Sequence, residues 1–153
     1  ISQSDYFDRS IANQNNLQGY YIVSINDFVY NPRISVHAPV GPIKRNKLTE
    51  GVMSPLYSVF RFKSENLKFI EYYFETIYWH KYLKNVANYG ARHDRMNITN
   101  SDFFKMPIPL PCIKEQNKIV KYLSAIDKKT KAVSQQITQT QSFKKGLLQQ
   151  MFV

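Results

Sequence analysis

The chain has 153 residues, 43% of them hydrophobic and 14% aromatic, which is enough for one packed domain with an appended element. No apolar run approaches the roughly 18 residues of a membrane span, and no signal peptide is visible. The net charge of +10 favours an anionic partner, with nucleic acid first, and the single Cys112 excludes an internal disulfide and favours a reducing cytoplasm. Because the chain opens at Ile1 in a polar segment, we expect a fragment whose upstream residues are missing.

The first part of the chain is rich in residues typical of β-strands. Residues 1–18 are polar and are predicted to form a loop. Strands are predicted at residues 20–25 and 28–30, separated by a turn at Asn26 and Asp27. The stretch from residue 31 to 47, rich in proline and lysine, predicts no long element, and residues 52–62 are predicted to form a further strand with an edge or bulge at its proline.

A helix is predicted over residues 67–87, capped by Ser64 or Asn66 and ended by Gly90. Its apolar residues recur at steps of three and four and should form one buried face, made of Leu67, Ile70, Phe74 and Ile77. A short turn near residues 99–104 then leads to an extended connector, because alternating prolines in the run MPIPLP (106–111) disfavour helix and central strand.

Beyond Pro111 the pattern becomes that of one long helix, without proline and with Gly146 as its only glycine. Alternating steps of four and three from residue 119 reach ten positions, and the apolar ones are Ile119, Leu123, Ile126, Val133, Ile137, Leu147 and Met151. A seam of more than four heptads predicts a helix of roughly 50 Å that pairs with another helix. We therefore predict an α+β domain at residues 1–111 and a helical arm at residues 112–153.

The sequence contains no recognisable catalytic or metal-binding constellation. Residues 31–34 (NPRI) depart at their last two positions from the Asn-Pro-Pro-Tyr/Phe loop of adenine methyltransferases, and no glycine-rich loop for a methyl donor is found. Asp127 and Lys129 have the spacing of half a nuclease motif, but they lie on the predicted arm. The histidines and Cys112 lack the spacing of metal ligands. We predict no catalysis, no cofactor and no metal in this chain.

Candidate DNA contacts fall in two loops, of which the first contains Arg33, His37, Lys44, Arg45 and Lys47 and the second contains Arg92, His93, Arg95 and Asn97. Arginine can hydrogen-bond guanine bidentately and asparagine can do the same for adenine, whereas lysine mostly contacts phosphate. For each single residue, the alternative interpretation is a solvated surface charge.

The run IPLP (108–111), followed by Glu115, Gln116 and Ile119 and by the ending KKGLLQQMF (144–152), resembles a known family. It is similar to the junction and conserved helix of the DNA-specificity subunits of type I restriction–modification enzymes, which share an I-P-x-P-x-x-x-E-Q-x-x-I pattern. The segments DFVY (27–30) and GVMSPLY (51–57) look like recurring pieces of that family's target-recognition domains.

The resemblance implies the C-terminal half of such a subunit, with one target-recognition domain and one helix of an antiparallel coiled coil. Each recognition domain of the family reads one half of a split double-stranded DNA target, and methylation and restriction subunits join the complex. In the isolated half, a second copy of the same helix is expected to complete the coiled coil as a homodimer. Two alternatives stay open: a non-catalytic assembly protein with a basic domain, and a stand-alone DNA-processing enzyme.

Overall fold

The structure is a computed structural model that describes residues 19–88 and 94–152. Five strands come first: β1 (Tyr21–Val23), β2 (Phe28–Tyr30), β3 (Ile43–Arg45), β4 (Gly51–Met53) and β5 (Ser58–Phe60). Four helices follow: α1 (Leu67–Phe74), α2 (His80–Val86), α3 (Asn100–Phe104) and α4 (Ile113–Met151). The chain forms two compact units, which divide between Pro109 and Leu110. The α+β class and the long C-terminal helix are confirmed.

The strands form two small antiparallel sheets. In the first sheet β1 pairs with β4, and in the second β2 lies between β3 and β5. Opposite Phe28 on the central strand lie Arg45 on one side and Phe60 on the other. None of the helices among the described residues is both long and apolar enough to span a bilayer.

The core of the first unit is strongly aromatic. The rings of Phe28 and Phe60 stack with centroids 5.9 Å apart, and Phe74 of α1 lies 6.1 Å from Phe28. Tyr30 stacks on Phe103 of α3 at 5.1 Å. Aromatic side chains of this size bury a large apolar area each, so a few short elements are enough to exclude water from the centre of this unit.

Two predicted elements need correction here, and one strand was not predicted. Residues 52–62 form two strands, β4 and β5, because a turn closed by the Tyr57 N–H donating to the Ser54 carbonyl at 3.0 Å intervenes. Strand β3 was not predicted, since its two prolines nearby were interpreted as breakers of any element. The turn predicted at residues 99–104 is the short helix α3, capped by the Thr99 hydroxyl, which accepts from the Asp102 N–H.

The predicted helix at residues 67–87 is two helices. The Thr76 hydroxyl donates to the Tyr73 carbonyl at 2.7 Å, and its oxygen accepts from the Tyr78 N–H at 3.4 Å. A threonine side chain that hydrogen-bonds to nearby backbone groups competes with the hydrogen bonds of a helix. Helical hydrogen bonding is interrupted at this point, between α1 and α2. Ile77 therefore leaves the buried face and is 74% exposed, so its predicted core position is wrong. Gly90, the predicted helix end, lies outside the described residues.

An ion pair between the buried Asp27 carboxylate and the exposed Arg61 guanidinium fixes the turn between β1 and β2. The Asp27 carboxylate accepts from the Arg61 Nε at 2.5 Å, from the Arg61 Nη2 at 3.0 Å and from the Ser24 N–H at 2.9 Å. The hydrogen bond from Arg61 is the main cause that lowers the pKa of Asp27. Two parallel bonds from one guanidinium are a strong and directional contact, and here they attach the turn to the end of β5.

Gly41 lies where the chain returns from the first loop to β3. Its φ is +76°, and a Cβ there would lie 1.9 Å from the backbone oxygen of Asn31. The Asn31 N–H donates to the Pro42 carbonyl at 3.0 Å, so this close approach is part of a backbone pairing. The position therefore requires glycine both for its conformation and for its space.

We expect Gly41→Ala to lower the free energy of unfolding by about 2–5 kcal/mol, measured by urea denaturation, because strain and a backbone clash add. Two matched variants separate these causes. Gly19 has a φ of +93° and open space, so Gly19→Ala should show the strain alone, whereas Gly51→Ala should be near neutral. Equal midpoints for all three variants would contradict the role of Gly41.

Candidate nucleic-acid interface

Two segments that are far apart in the sequence come together in the first unit. Arg33 pairs with Arg95 in an isolated antiparallel bridge. The Ile34 N–H donates to the Asp94 carbonyl at 2.9 Å, and the Met96 N–H donates to the Pro32 carbonyl at 3.0 Å. The two predicted DNA loops thus share one short backbone ladder, here called the arginine ladder (residues 32–34 and 94–96).

The far side of the arginine ladder is anchored in the core. Met96 is buried, and its sulfur accepts from the Tyr30 hydroxyl at 3.9 Å. The next residue, Asn97, is exposed and is held by a second bridge, in which its N–H and carbonyl both bond to Asn88. Since directly opposite residues of an antiparallel pair present their side chains on one face, Arg33 and Arg95 lie side by side.

Arg33 is loosely restrained. Its Nε lies 3.7 Å from the Asp94 carboxylate, and both side chains are mostly exposed. Exposed pairs of this kind are worth about 0–1 kcal/mol, so the guanidinium can leave Asp94 for another anion. The side chain of Asn31, the first residue of the NPRI run, accepts from the Arg33 N–H at 3.0 Å and so shapes the backbone before Arg33.

His37 lies at the tip of a tight hairpin that projects from the arginine ladder's first segment. Ser35 and Ala38 exchange backbone hydrogen bonds at 3.0 and 3.1 Å, which leaves Val36 and His37 as the two tip residues. Both are exposed, Val36 more than any other large apolar residue described. Sequence analysis missed Val36, because its exposure depends on the hairpin rather than on any pattern of neighbours.

The remaining cations of the first loop lie on or after β3, against helix α1. Arg45 has a side chain only 17% exposed, with its Nε 3.7 Å from the Glu71 carboxylate. Lys47 also contacts Glu71, and the Lys44 ammonium lies 3.7 Å from the Glu75 carboxylate. These three residues therefore lie on or just after β3 and not on the arginine ladder. The Arg45 side chain is also largely buried. Arg92 and His93 lie outside the described residues.

No group of three or more His, Cys, Asp or Glu side chains suited to a metal ion occurs within the described ranges 19–88 and 94–152. Burial is the main cause that lowers the pKa of His80, and its ring packs against Trp79 with centroids 4.5 Å apart. That contact belongs to the core of the first unit.

Helix α4 presents its apolar residues to solvent. Six side chains of the predicted seam are 40–72% exposed: Ile119, Ile126, Val133, Ile137, Leu147 and Met151. The seventh, Leu123, is half-buried. The helix begins with Glu115 accepting from the Cys112 N–H at 3.2 Å in a capping box. Further exposed apolar residues that were not predicted lie along α4 and at its C-cap, among them Ile113, Tyr122, Phe143, Leu148 and Phe152.

Comparison with known proteins identifies the family of this chain. A search of curated proteins returned no match. A family model described as the type I restriction modification DNA specificity domain matches residues 4–140, which covers both the β-rich unit and most of α4. A match over most of the chain shows that this protein belongs to the type I restriction–modification DNA specificity family, whose members serve in DNA sequence recognition.

Proposed function

We propose that this chain reads one half of a bipartite DNA target and directs methylation and restriction subunits to it. The observation that carries the proposal is the arginine ladder, where Arg33 and Arg95 lie side by side on a backbone anchored by buried Met96. Residues 1–111 are the recognition domain and residues 112–153 the helical arm. Chemistry belongs to the other subunits, so the chain itself needs no cofactor, and we expect it to act in the cytoplasm.

Each part of the ladder has chemistry suited to a base edge. An arginine reaches guanine O6 and N7 with two parallel donors, and exposed Asn97 can pair bidentately with adenine. Asp94 adds an acceptor that suits the cytosine amino group, and Val36 can contact a thymine methyl. Arg92, His93 and His37 are further candidates from the two loops. The other cations of the first loop would contact phosphate or stabilise the domain through ion pairs: Lys44, Arg45 and Lys47.

The arm is proposed to pair with a second copy of itself. The seam positions are symmetric about residue 135: position 119 mirrors 151, 123 mirrors 147, 126 mirrors 144, 130 mirrors 140 and 133 mirrors 137. A two-fold antiparallel pair centred there brings every seam residue opposite another seam residue. Val120 and Leu148, which flank the seam at equivalent heptad positions, also come together and widen the apolar contact at both ends.

This symmetry favours a homodimer whose recognition domains lie at opposite ends of the paired helices. The polar layer of Thr130 and Thr140 lowers affinity but helps to fix the register. Lys144 can extend its apolar stem over Ile126 while its ammonium stays in water. In a complete specificity subunit, by the resemblance, a matching helix from the other half takes the place of the second copy.

A salt titration of DNA binding tests the proposed reading function. Phosphate neutralisation releases counterions, so affinity for a duplex should fall steeply between about 50 and 200 mM salt, with a slope of about −0.9 per phosphate contact. A duplex that carries the methylated motif of the host's whole system should bind roughly 10³-fold or more tightly than a scrambled one. An assembly protein with a merely basic domain, which the exposed face of α4 also suits, would show no preference between them.

A further inference from the structure

Helix α1 and its C-cap residue present two carboxylates to the cations of β3 and to Lys47, two residues after that strand. The Lys44 ammonium lies 3.7 Å from the Glu75 carboxylate, and Lys47 contacts Glu71. The lysine side chains are 69% and 48% exposed, so both ammonium groups are also open to solvent. Their exposure alone would make them suitable for phosphate contact.

Glu71 is the centre of this arrangement. The residue is only 8% exposed, yet Arg45, Lys47 and Lys68 all lie within ion-pair distance of its carboxylate. The Lys68 ammonium also lies over the Tyr72 ring, 4.4 Å from its centroid. A carboxylate with so little access to water interacts strongly with nearby cations, because screening by solvent is weak there.

Arg45 cannot serve as a phosphate contact in this position. Its Nε is buried without a hydrogen-bond partner, as is the Glu71 Oε2, and the two atoms lie 3.7 Å apart. The pair is therefore held by charge and packing, and Arg45 keeps Glu71 in place beneath Lys47. A phosphate that approached Lys47 would have to compete with a carboxylate that is already fixed.

From this geometry we infer that Glu71 and Glu75 are specificity-determining residues, which restrain non-specific DNA binding by engaging Lys47 and Lys44. The inference rests on the proposed DNA-reading function.

The arginine ladder lies on other segments. Its Arg33 also has an exposed carboxylate partner, Asp94 at 3.7 Å, but Arg95 makes no ion pair with another described residue. A bidentate contact to guanine, worth roughly 5- to 150-fold in affinity, outweighs one exposed ion pair, worth at most about 5-fold, whereas a single phosphate contact by lysine does not clearly do so. Phosphate contacts are available on DNA of any sequence, whereas base contacts are available only on the target. Restraining the lysines that contact phosphate therefore raises the ratio of specific to non-specific affinity.

The clearest test uses Glu75→Gln, since Glu75 is half-exposed and its loss leaves no buried charge. Binding of the full chain to a scrambled 20-bp duplex is followed by fluorescence anisotropy across a salt series. Freeing Lys44 for one phosphate should steepen the slope of log affinity against log salt by about 0.9. Affinity should then fall about 3.5-fold more than for the parent chain between 50 and 200 mM salt.

A double-mutant cycle separates this coupling from a general change in charge. Lys44→Gln should reduce the slope clearly in the Glu75→Gln background and little in the parent chain. Glu65→Gln provides a matched loss of charge, because Glu65 is exposed and makes no ion pair with another described residue. A slope that steepens equally in Glu65→Gln and Glu75→Gln overturns the inference.

Glu71→Gln is the second variant, with circular dichroism as a check because it leaves Arg45 buried beside an amide. It should steepen the slope through Lys47, and Lys47→Gln should reverse that change. If the parent chain binds with a steep slope and neither glutamine variant alters it, the inference is wrong and the proposed function stands. If neither the parent nor any variant binds duplex DNA, both fail together.

Discussion

A chain that carries Leu123→Asp and Ile137→Asp is expected to be monomeric at concentrations where the unchanged chain is a dimer. Fully burying a leucine or isoleucine is worth about 1.5–3 kcal/mol, and each substitution acts twice in a two-fold pair. The four new carboxylates would also meet apolar neighbours without partners, which is costly. Sedimentation velocity at tens of micromolar should therefore show complete loss of the dimer.

The matched control places the same charges on the opposite side of α4. Gln135 and Gln149 each lie midway between two seam positions, two residues from either, and so face away from the seam. Gln135→Asp and Gln149→Asp add two carboxylates per chain, as the seam variant does. Their dimer should persist, with helicity by circular dichroism close to that of the parent. A parent chain that stays monomeric at tens of micromolar would refute the proposed pairing.

The register of that dimer can be checked by disulfide formation in a Cys112→Ser background. Ser134 lies next to the proposed two-fold axis and flanks the seam, so Ser134→Cys should cross-link to its own mate. Gln141 has the same heptad position one heptad further on, where antiparallel mates are roughly 20 Å apart at 1.5 Å per residue. Gln141→Cys should not cross-link, whereas in a parallel pair in register neither cysteine would lie next to its counterpart and neither variant should cross-link.

Replacing Arg33 and Arg95 with alanine is expected to abolish the preference of the chain for its target. Each lost bidentate contact to guanine should cost about 1–3 kcal/mol, so the pair together costs roughly 30- to 3 × 10⁴-fold in specific affinity. Affinity for a scrambled duplex should change much less. The target sequence for this comparison comes from the methylated motif of a host that carries the complete system, and anisotropy titration measures the binding.

Two further variants show whether geometry or charge matters at the ladder. Arg33→Lys keeps the charge but loses the paired donors, so it should lose target preference while the salt slope stays near that of the parent. Lys63→Ala removes an exposed cation elsewhere in the first unit and should leave target preference unchanged. Unchanged affinity and an unchanged methylated motif in the double alanine variant would exclude the ladder as the reader.

Local patterns predicted those elements that depend on neighbouring residues. The strand at Phe28–Tyr30 and the helix Ile113–Met151 were predicted because alternation and heptad spacing are visible over a few residues. The helix predicted at residues 67–87 was wrong in its middle, since a single hydroxyl at Thr76 redirects the backbone there. Strand β3 was missed because its pairing with β2 comes from the return of the chain at Gly41.

The sequence was enough to name candidate DNA-contacting residues, but not to predict how they are arranged in space. Arg33 and Arg95 were both named from the sequence, yet no local pattern indicated that they form a bridge, because that contact is long-range. Arg45 was named with the same reasoning and lies largely covered beside Glu71. The seam of α4 was visible as a stripe, but the second helix that we propose to cover it is not part of the described chain.

As the proposed reader of the target, the arginine ladder has a consequence for how new target preferences would arise in this protein. Its two segments are encoded about 60 codons apart, yet they contact one another directly through Arg33 and Arg95. A crossover between related genes that falls between those codons would combine halves that had never been selected together. Exchange of the whole interval, by contrast, transfers an intact ladder. Chimeras with both junctions outside residues 31–97 should therefore fold and read DNA more often than chimeras with one junction inside.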